Sequence, residues 1–369
     1  MHTVPDLART VVSFAVVLGV LVFVHEFGHY LAARWRGVHV EVFSIGFGKA
    51  LASWTARSGT LWKVGWLPLG GYVKLHGQER PQDVSEEVRA NWIAGQTFHE
   101  KSVLSRAIIV AAGPIANFVL AAVVFTLLFA TVGRPLTLPI VGSVLPHSAA
   151  AQAGLQSGDR IVSIAGQPIH DFKDIQRIVT TRAGDRLSLT IERSGKQQQL
   201  SVTPQPHEVN GRDVGLLGIS GSKMIYEQVS LPVAIWSGAA ETWHVTAETV
   251  SGVAQMITGQ RGTQDLGGPL RIAQLSGEVA ALGAASMLSF IAVLSVNLGL
   301  INLFPIPILD GGHLLFYLFE AVLGRPLPAR AQEYGFRAGL ALLAGLFIFA
   351  TWNDLTQFGL FHWMAGWMG

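Results

Sequence analysis

Cysteine is absent from the chain, and with it go disulfide frameworks, thiolate zinc sites, iron-sulfur clusters and cysteine nucleophiles. Any metal must therefore be held by His, Asp or Glu. Charge is scarce too: 14% of the 369 residues are Asp, Glu, Lys or Arg, against about a quarter in an ordinary soluble domain. The 26 basic and 24 acidic residues leave a formal charge of +2 with no basic tract of five. No nucleic-acid partner is expected from so small an imbalance. What fills the chain is apolar, 50% of its residues, with a mean hydropathy of +0.41. These features point away from a purely soluble protein and toward the lipid bilayer.

The hydrophobic runs predict a multi-pass α-helical protein with about four spans. The first covers 6–33 and carries the sequence HEFGH at 25–29; the second, 107–132, holds no charge after Arg106. A third occupies 286–310 and is broken by Pro305 and Pro307; a fourth is placed at 336–352, before a tail at 353–369. A cleaved signal peptide is the competing reading of the first run. It fits poorly, because ionisable residues lie inside the far end of the run and no A-x-A-like cleavage site follows. The loop 34–106 holds ten Lys or Arg, so the positive-inside rule puts it in the cytoplasm. Alternation then places 133–285 outside and 311–335, with Arg325 and Arg330, inside. Within the first loop, 40–48 and 61–75 combine β-branched and aromatic residues between Gly and Pro, the pattern of a hairpin pressed against the membrane.

Residues 137–204 read as a water-soluble α+β insertion. The segment AGLQSGDRIVSIAG, Ala153 to Gly166, resembles a PDZ domain of the bacterial protease type, which captures extended peptides by strand addition. The following stretch, 205–285, is expected to be a linker with an amphipathic helix at the outer membrane surface.

His25-Glu26-Phe27-Gly28-His29 is an H-E-x-x-H motif. On a helix it sets two His one turn apart with a Glu beside them, a geometry suited to tetrahedral zinc. A carboxylate in an apolar span is costly and is retained chiefly for function. A catalytic zinc takes three protein ligands. With no cysteine, Asp310 is the candidate third, since the preceding prolines unwind the chain beside it, and His313 is its rival.

HEFGH, GPIANF at 113–118 and NLFPIPILDGG at 302–312, in that order, resemble the site-2 protease family of intramembrane zinc metalloproteases, peptidase family M50. The PDZ-like insertion between spans two and three is similar to the regulator of sigma-E protease branch. The resemblance implies Zn²⁺ held by His25, His29 and Asp310, with Glu26 as the general base that prepares water for attack on a peptide carbonyl. It implies substrate contacts from Asn297, Asn302, Pro305 and Pro307, and from a β element containing Gly70, Gly71 and Tyr72. Interhelical hydrogen bonding is the competing role of the two Asn. Gly113-Pro114 is expected to start or kink a helix and receives no chemistry. The implied partners are single-span membrane proteins, such as anti-sigma factors or remnant signal peptides, in the bacterial inner membrane, with the PDZ domain in the periplasm. Enterobacterial members carry two PDZ domains where this chain has room for one. A single domain would serve as a size filter that admits substrates already trimmed on their outer side. A non-catalytic scaffold that binds peptides through the PDZ domain is the alternative, and it leaves His25, Glu26, His29 and Asp310 without a role. A transporter is disfavoured because no repeats are detected.

Overall fold

Uninterrupted apolar residues from Val11 to Val24, with Asp6 in the first turn and Arg34 in the last to complement the helix dipole, form one 32-residue helix, α1 (Val4–Trp35). The computed structural model describes residues 4–79, 84–209, 212–260, 262 and 267–357. After α1 come β1 (Val40–Thr55), β2 (Leu61–Leu75), α2 (Glu86–Ala90) and α3 (Val103–Thr131). The insertion holds β3 (Arg134–Thr137), β4 (Val141–Val144), α4 (Ala149–Gln152), β5 (Arg160–Ile164), β6 (Gln167–Pro168), α5 (Phe172–Thr180), β7 (Leu187–Arg193) and β8 (Lys196–Val202). It continues with β9 (Gln205–Val209), β10 (Arg212–Leu216), β11 (Ile219–Gly221) and β12 (Met224–Glu227). Last come α6 (Leu231–Ile257), α7 (Pro269–Ala281), α8 (Ala284–Leu303), α9 (Asp310–Leu323) and α10 (Ala329–Gln357). The chain divides into two units, Met1–Leu127 with Ile235–Gly369, and Leu128–Ala234.

In the first unit α1, α3, α8 and α10 are long and apolar enough to cross a membrane, making this a polytopic membrane protein. The two strands each fold back on themselves. Val42–Ile45 of β1 lies between Leu61–Val64 and Gly71–Lys74 of β2, while Ala50–Thr55 pairs with Leu61–Gly65. The reversals fall at Gly46, Gly48 and Gly70, whose φ values of 81°, 84° and 96° favour glycine. This places the Gly71–Lys74 stretch beside the middle of α1: a Cβ on Gly71 would meet Ser44 O at 2.7 Å and Glu26 Cγ at 3.2 Å.

Three expected boundaries move. Span three ends at Leu303 and the chain is non-helical through Leu309, so Asp310 opens a new helix instead of closing the old one. The prolines and a positive φ of 102° at Ile308 are the cause. The fourth helix starts at Ala329, inside the expected loop 311–335, and continues through residues 353–357 of the expected tail; the remainder of that tail lies outside the described residues. The stretch 205–285 is not a linker with one helix, since it holds four strands and two helices, α6 and α7.

The second unit is antiparallel, with a four-stranded sheet in the order β6-β5-β7-β8. Leu187, Leu189 and Ile191 of β7 alternate inward, Ile161 and Ile164 of β5 join them across a register shift, and all five are fully buried. Its helix α5 is closed by an Asp171–Asp174 capping box and buries Phe172, Ile175, Ile178 and Val179 on one face. The unit reaches beyond 137–204 on both sides. The edges of β3 and β4 need partners, and β12 and β11 supply them. Asp159 is buried and accepts from Arg193 Nε at 2.7 Å and Nη2 at 2.6 Å, and from the Gln156 amide at 2.8 Å. Burial alone would push its carboxyl up. The Arg193 guanidinium and the Gln156 amide outweigh burial and hold the group below the usual carboxylate range.

Candidate metal centre

One turn of α1 separates His25 from His29, and their rings meet edge to face with centroids 4.9 Å apart. The face they occupy packs on α3 unusually closely. A Cβ on Gly28 would strike the Ala112 carbonyl, and one on Gly113 would strike the His29 ring. Glycine at both positions is what lets the imidazole lie between the two helices. His29 Nδ1 donates to the Ile109 carbonyl at 2.9 Å, which leaves Nε2 with a lone pair. Pro114 sits inside α3 without ending it.

Asp310 reaches the same point from the other side of the unit. The Ile308 backbone turns the chain there, and Gly311 and Gly312 let α9 begin against the carbonyls of Leu303, Phe304 and Ile306. A further glycine, Gly339 of α10, abuts the Pro307 carbonyl, with Gly335 beside the Pro307 ring. Asp310 Oδ2 lies 3.2 Å from His25 Nε2 and 3.4 Å from His29 Nε2, and the two Nε2 atoms are 3.3 Å apart. All three side chains are mostly buried, yet Oδ2 has no hydrogen-bond partner among the described residues. Ligand atoms about 2.05 Å from a tetrahedral zinc stand about 3.3 Å from one another. A triangle of that size, made of two imidazole nitrogens and a buried carboxylate oxygen that has no hydrogen-bond partner among the described residues, fits a zinc ion.

A cavity of about 760 Å³ opens beside the triangle, lined among others by Glu26, Gly71, Tyr72, Val73, Asn302 and His313. The Val73 amide faces the Glu26 carboxylate. Of the residues expected to meet substrate, Gly71, Tyr72 and Asn302 line this space. Asn297 does not: its Oδ1 accepts from Thr249 Oγ1 of α6 at 3.0 Å, an interhelical tie. Gly70 turns the strand against the Phe47 ring, and Pro305 and Pro307 shape the approach to Asp310 without lining the cavity. His313, the rival ligand, points its ring toward Phe316 and Phe336, with centroids at 6.5 and 5.3 Å. Three contributors escaped the sequence reading: Gly28, Gly113 and Asn117, the last buried with Nδ2 3.2 Å from His25 Nδ1. The available signal was spacing, because Gly113 and Asn117 stand four apart, as His25 and His29 do.

The family model described as Peptidase family M50 matches residues 13–346. The Agrobacterium fabrum protein Atu1380, which bears a zinc metalloprotease name, is 43% identical over 94% of this chain and 96% of its own. The regulator of sigma-E protease RseP of Escherichia coli is 34% identical over 94% of this chain and 98% of its own. Among solved structures, the PDZ domain of an SdrC-like protein of Listeria monocytogenes is similar over 22% of this chain and 84% of that one, at 22% identity and a TM-score of 0.20.

Proposed function

The chain belongs to peptidase family M50 and is a zinc metalloprotease of the intramembrane site-2 type; from that premise we propose that it cuts the membrane-spanning segments of single-span proteins, with His25, His29 and Asp310 holding the zinc and Glu26 as the catalytic base. Membership of a zinc metalloprotease family stands against the non-catalytic scaffold alternative. The observation that carries the proposal is the triangle of 3.2, 3.3 and 3.4 Å closed by a donorless Asp310 oxygen.

When bound there, zinc supplies a Lewis acid that acidifies a water molecule and polarises the scissile carbonyl. Glu26, one residue from His25 and lining the same cavity, is placed to take a proton from an attacking water and to return it to the leaving amine. A substrate helix satisfies its own amides, so its backbone must unwind before a carbonyl can be reached, and the freed groups need new partners. Gly71–Val73 supplies them as an edge. Its pairing with β1 uses one side, while Gly71, Tyr72 and Val73 line the cavity on the other. Asn302, also lining the cavity, is placed to hold a substrate carbonyl, and substrates with helix-weakening residues near the cut are preferred. The loop 34–106 faces the cytoplasm, the PDZ domain faces the periplasm, and anti-sigma factors or remnant signal peptides are the substrate class.

The test is fragment release from a tagged single-span substrate, trimmed on its outer side, by wild type and by Glu26→Gln in membranes. Gln keeps the size and cannot take the proton. Release by the wild type alone is expected, with zinc retained by the variant; equal release by both would overturn the assignment of Glu26.

A further inference from the structure

His29 has an evident device for presenting Nε2 to a metal, the Ile109 carbonyl at 2.9 Å that fixes the proton on Nδ1. His25 needs the same device, since its Nε2 also faces the triangle. No backbone carbonyl is recorded there among the described residues; the group within hydrogen-bond distance of His25 Nδ1 is the Asn117 side chain, at 3.2 Å. Asn117 is fully buried, and its Oδ1 lies in the interior without a partner among the described residues. A half-turn of the amide exchanges two groups of nearly equal shape. It would set Oδ1 against His25 Nδ1–H, which gives the orphaned oxygen its donor and the histidine the tautomer that leaves Nε2 free. The backbone carrying the amide is pinned independently, by Ser295 Oγ of α8 donating to the Asn117 carbonyl at 2.8 Å.

We infer that Asn117 is a positioning residue that sets the tautomer of His25 and thereby frees Nε2 to bind the metal; the inference rests on His25 being a zinc ligand. An amide can serve both states of the site. With Nδ2 toward His25, as in the structure, Nδ1 accepts and the ring proton sits on Nε2, inside the triangle, where it makes no hydrogen bond to Asp310 Oδ2 and stands in the way of a metal. With Oδ1 toward His25, the ring is ready for the metal. Asp at this position serves only the second state, and Leu serves neither.

The test measures the Zn²⁺ dissociation constant of the full chain in micelles by competition with a chromophoric chelator, together with the unfolding midpoint of the metal-stripped protein. Loss of an outer partner of a metal-bound His weakens binding about 10- to 100-fold; Asn117→Leu is expected to do so and Asn117→Asp to stay within about threefold of wild type. Excess zinc should restore cleavage to the Leu variant. Wild-type zinc affinity in Asn117→Leu would overturn the inference. So would equal losses in the Leu and Asp variants accompanied by an equal fall in unfolding midpoint, which would mark the side chain as packing only. If the Leu variant fails to fold, Asn117→Ala against Asn117→Asp is judged on the same criterion. A wild type that binds no zinc, or His25→Ala that binds it as well as wild type, would instead sink the metal site on which the inference rests.

Discussion

Replacing Gly113 by Ala tests whether the closeness of α1 and α3 exists for the sake of the site. The added Cβ would lie 2.5 Å from His29 Cε1 and 2.9 Å from Cδ2, where ordinary contact begins at 3.4 Å. The ring must therefore move by close to an ångström. The helices cannot part to make room without opening the contact between Gly28 and the Ala112 carbonyl, one residue away on each helix. For global stability two effects oppose: Ala is the better helix former by about 0.5–1 kcal/mol, and overpacking costs about 1–3 kcal/mol. The net change is small and the chain should still fold. The metal is less forgiving, because a zinc–nitrogen bond is only about 2.0–2.1 Å long and an ångström of displacement removes a ligand. Zinc affinity should fall by more than the roughly 100-fold that a lost outer partner costs, and cleavage with it. The assay is zinc content after dialysis against a weak chelator, alongside kcat/KM on a trimmed substrate and thermal unfolding. Gly19→Ala, on α1 with nothing within 4 Å of the new methyl, is the control and should keep full activity. Wild-type zinc retention in Gly113→Ala would refute the reasoning.

The two asparagines of α8 should separate cleanly. Asn302→Ala, in the cavity, lowers kcat/KM, whereas Asn297→Ala loses a tie to Thr249 worth about 0.6 kcal/mol and leaves kcat/KM within about twofold; equal kinetic damage would show that Asn297 also meets substrate. In the inserted domain Asp159 has its carboxyl held low, so its contribution is complete above the unfolded value of about 3.9 and is lost as pH falls through the folded one. Asp159→Asn should remove about 2 kcal/mol at neutral pH, less than for a fully buried pair because Arg193 is partly exposed. It should also flatten the acid limb, as read by amide exchange at Ile161, Ile164 and Ile191; an unchanged limb would mean another carboxylate sets it.

Much of the site could be read in advance because its parts obey local rules. His25 and His29 four apart, and an Asp after two prolines, are statements about helix periodicity and helix breaking that need no tertiary information. What escaped reading is tertiary. Nothing local shows that Gly113 must be small: the reason is the ring of His29, 84 residues earlier in the chain. The helix boundaries near Asp310 shifted because the PIPIL turn is fixed by contacts with α9 and α10, not by the prolines alone. The inserted unit was drawn too short because β11 and β12 are three- and four-residue strands whose signal lies in the partners they complete.

These omissions share a cause. Lipid tails are as apolar as the helix surfaces, so burial does little to hold membrane helices together, and close approach through glycine is the main means left. Several of the close approaches fall at the level of the triangle: Gly28 and Gly113 between α1 and α3, Gly311 and Gly312 under the PIPIL turn, and Gly339 against Pro307. Each ligand-bearing segment is thus backed at its ligand by a second element brought near by a glycine. Helix association and ligand placement become one event, since the contacts that dock α3 on α1 also turn His29 toward Ile109, and those that seat α10 also turn Asp310 inward. A carboxylate and two imidazoles held 3.2 to 3.4 Å apart, with no hydrogen bond to that carboxylate oxygen among the described residues, form a site that a bound cation would stabilise. Packing therefore holds the ligands in an arrangement they would leave if free to relax, and it is this docking of glycine-backed helices that gives a largely apolar bundle a hydrolytic centre.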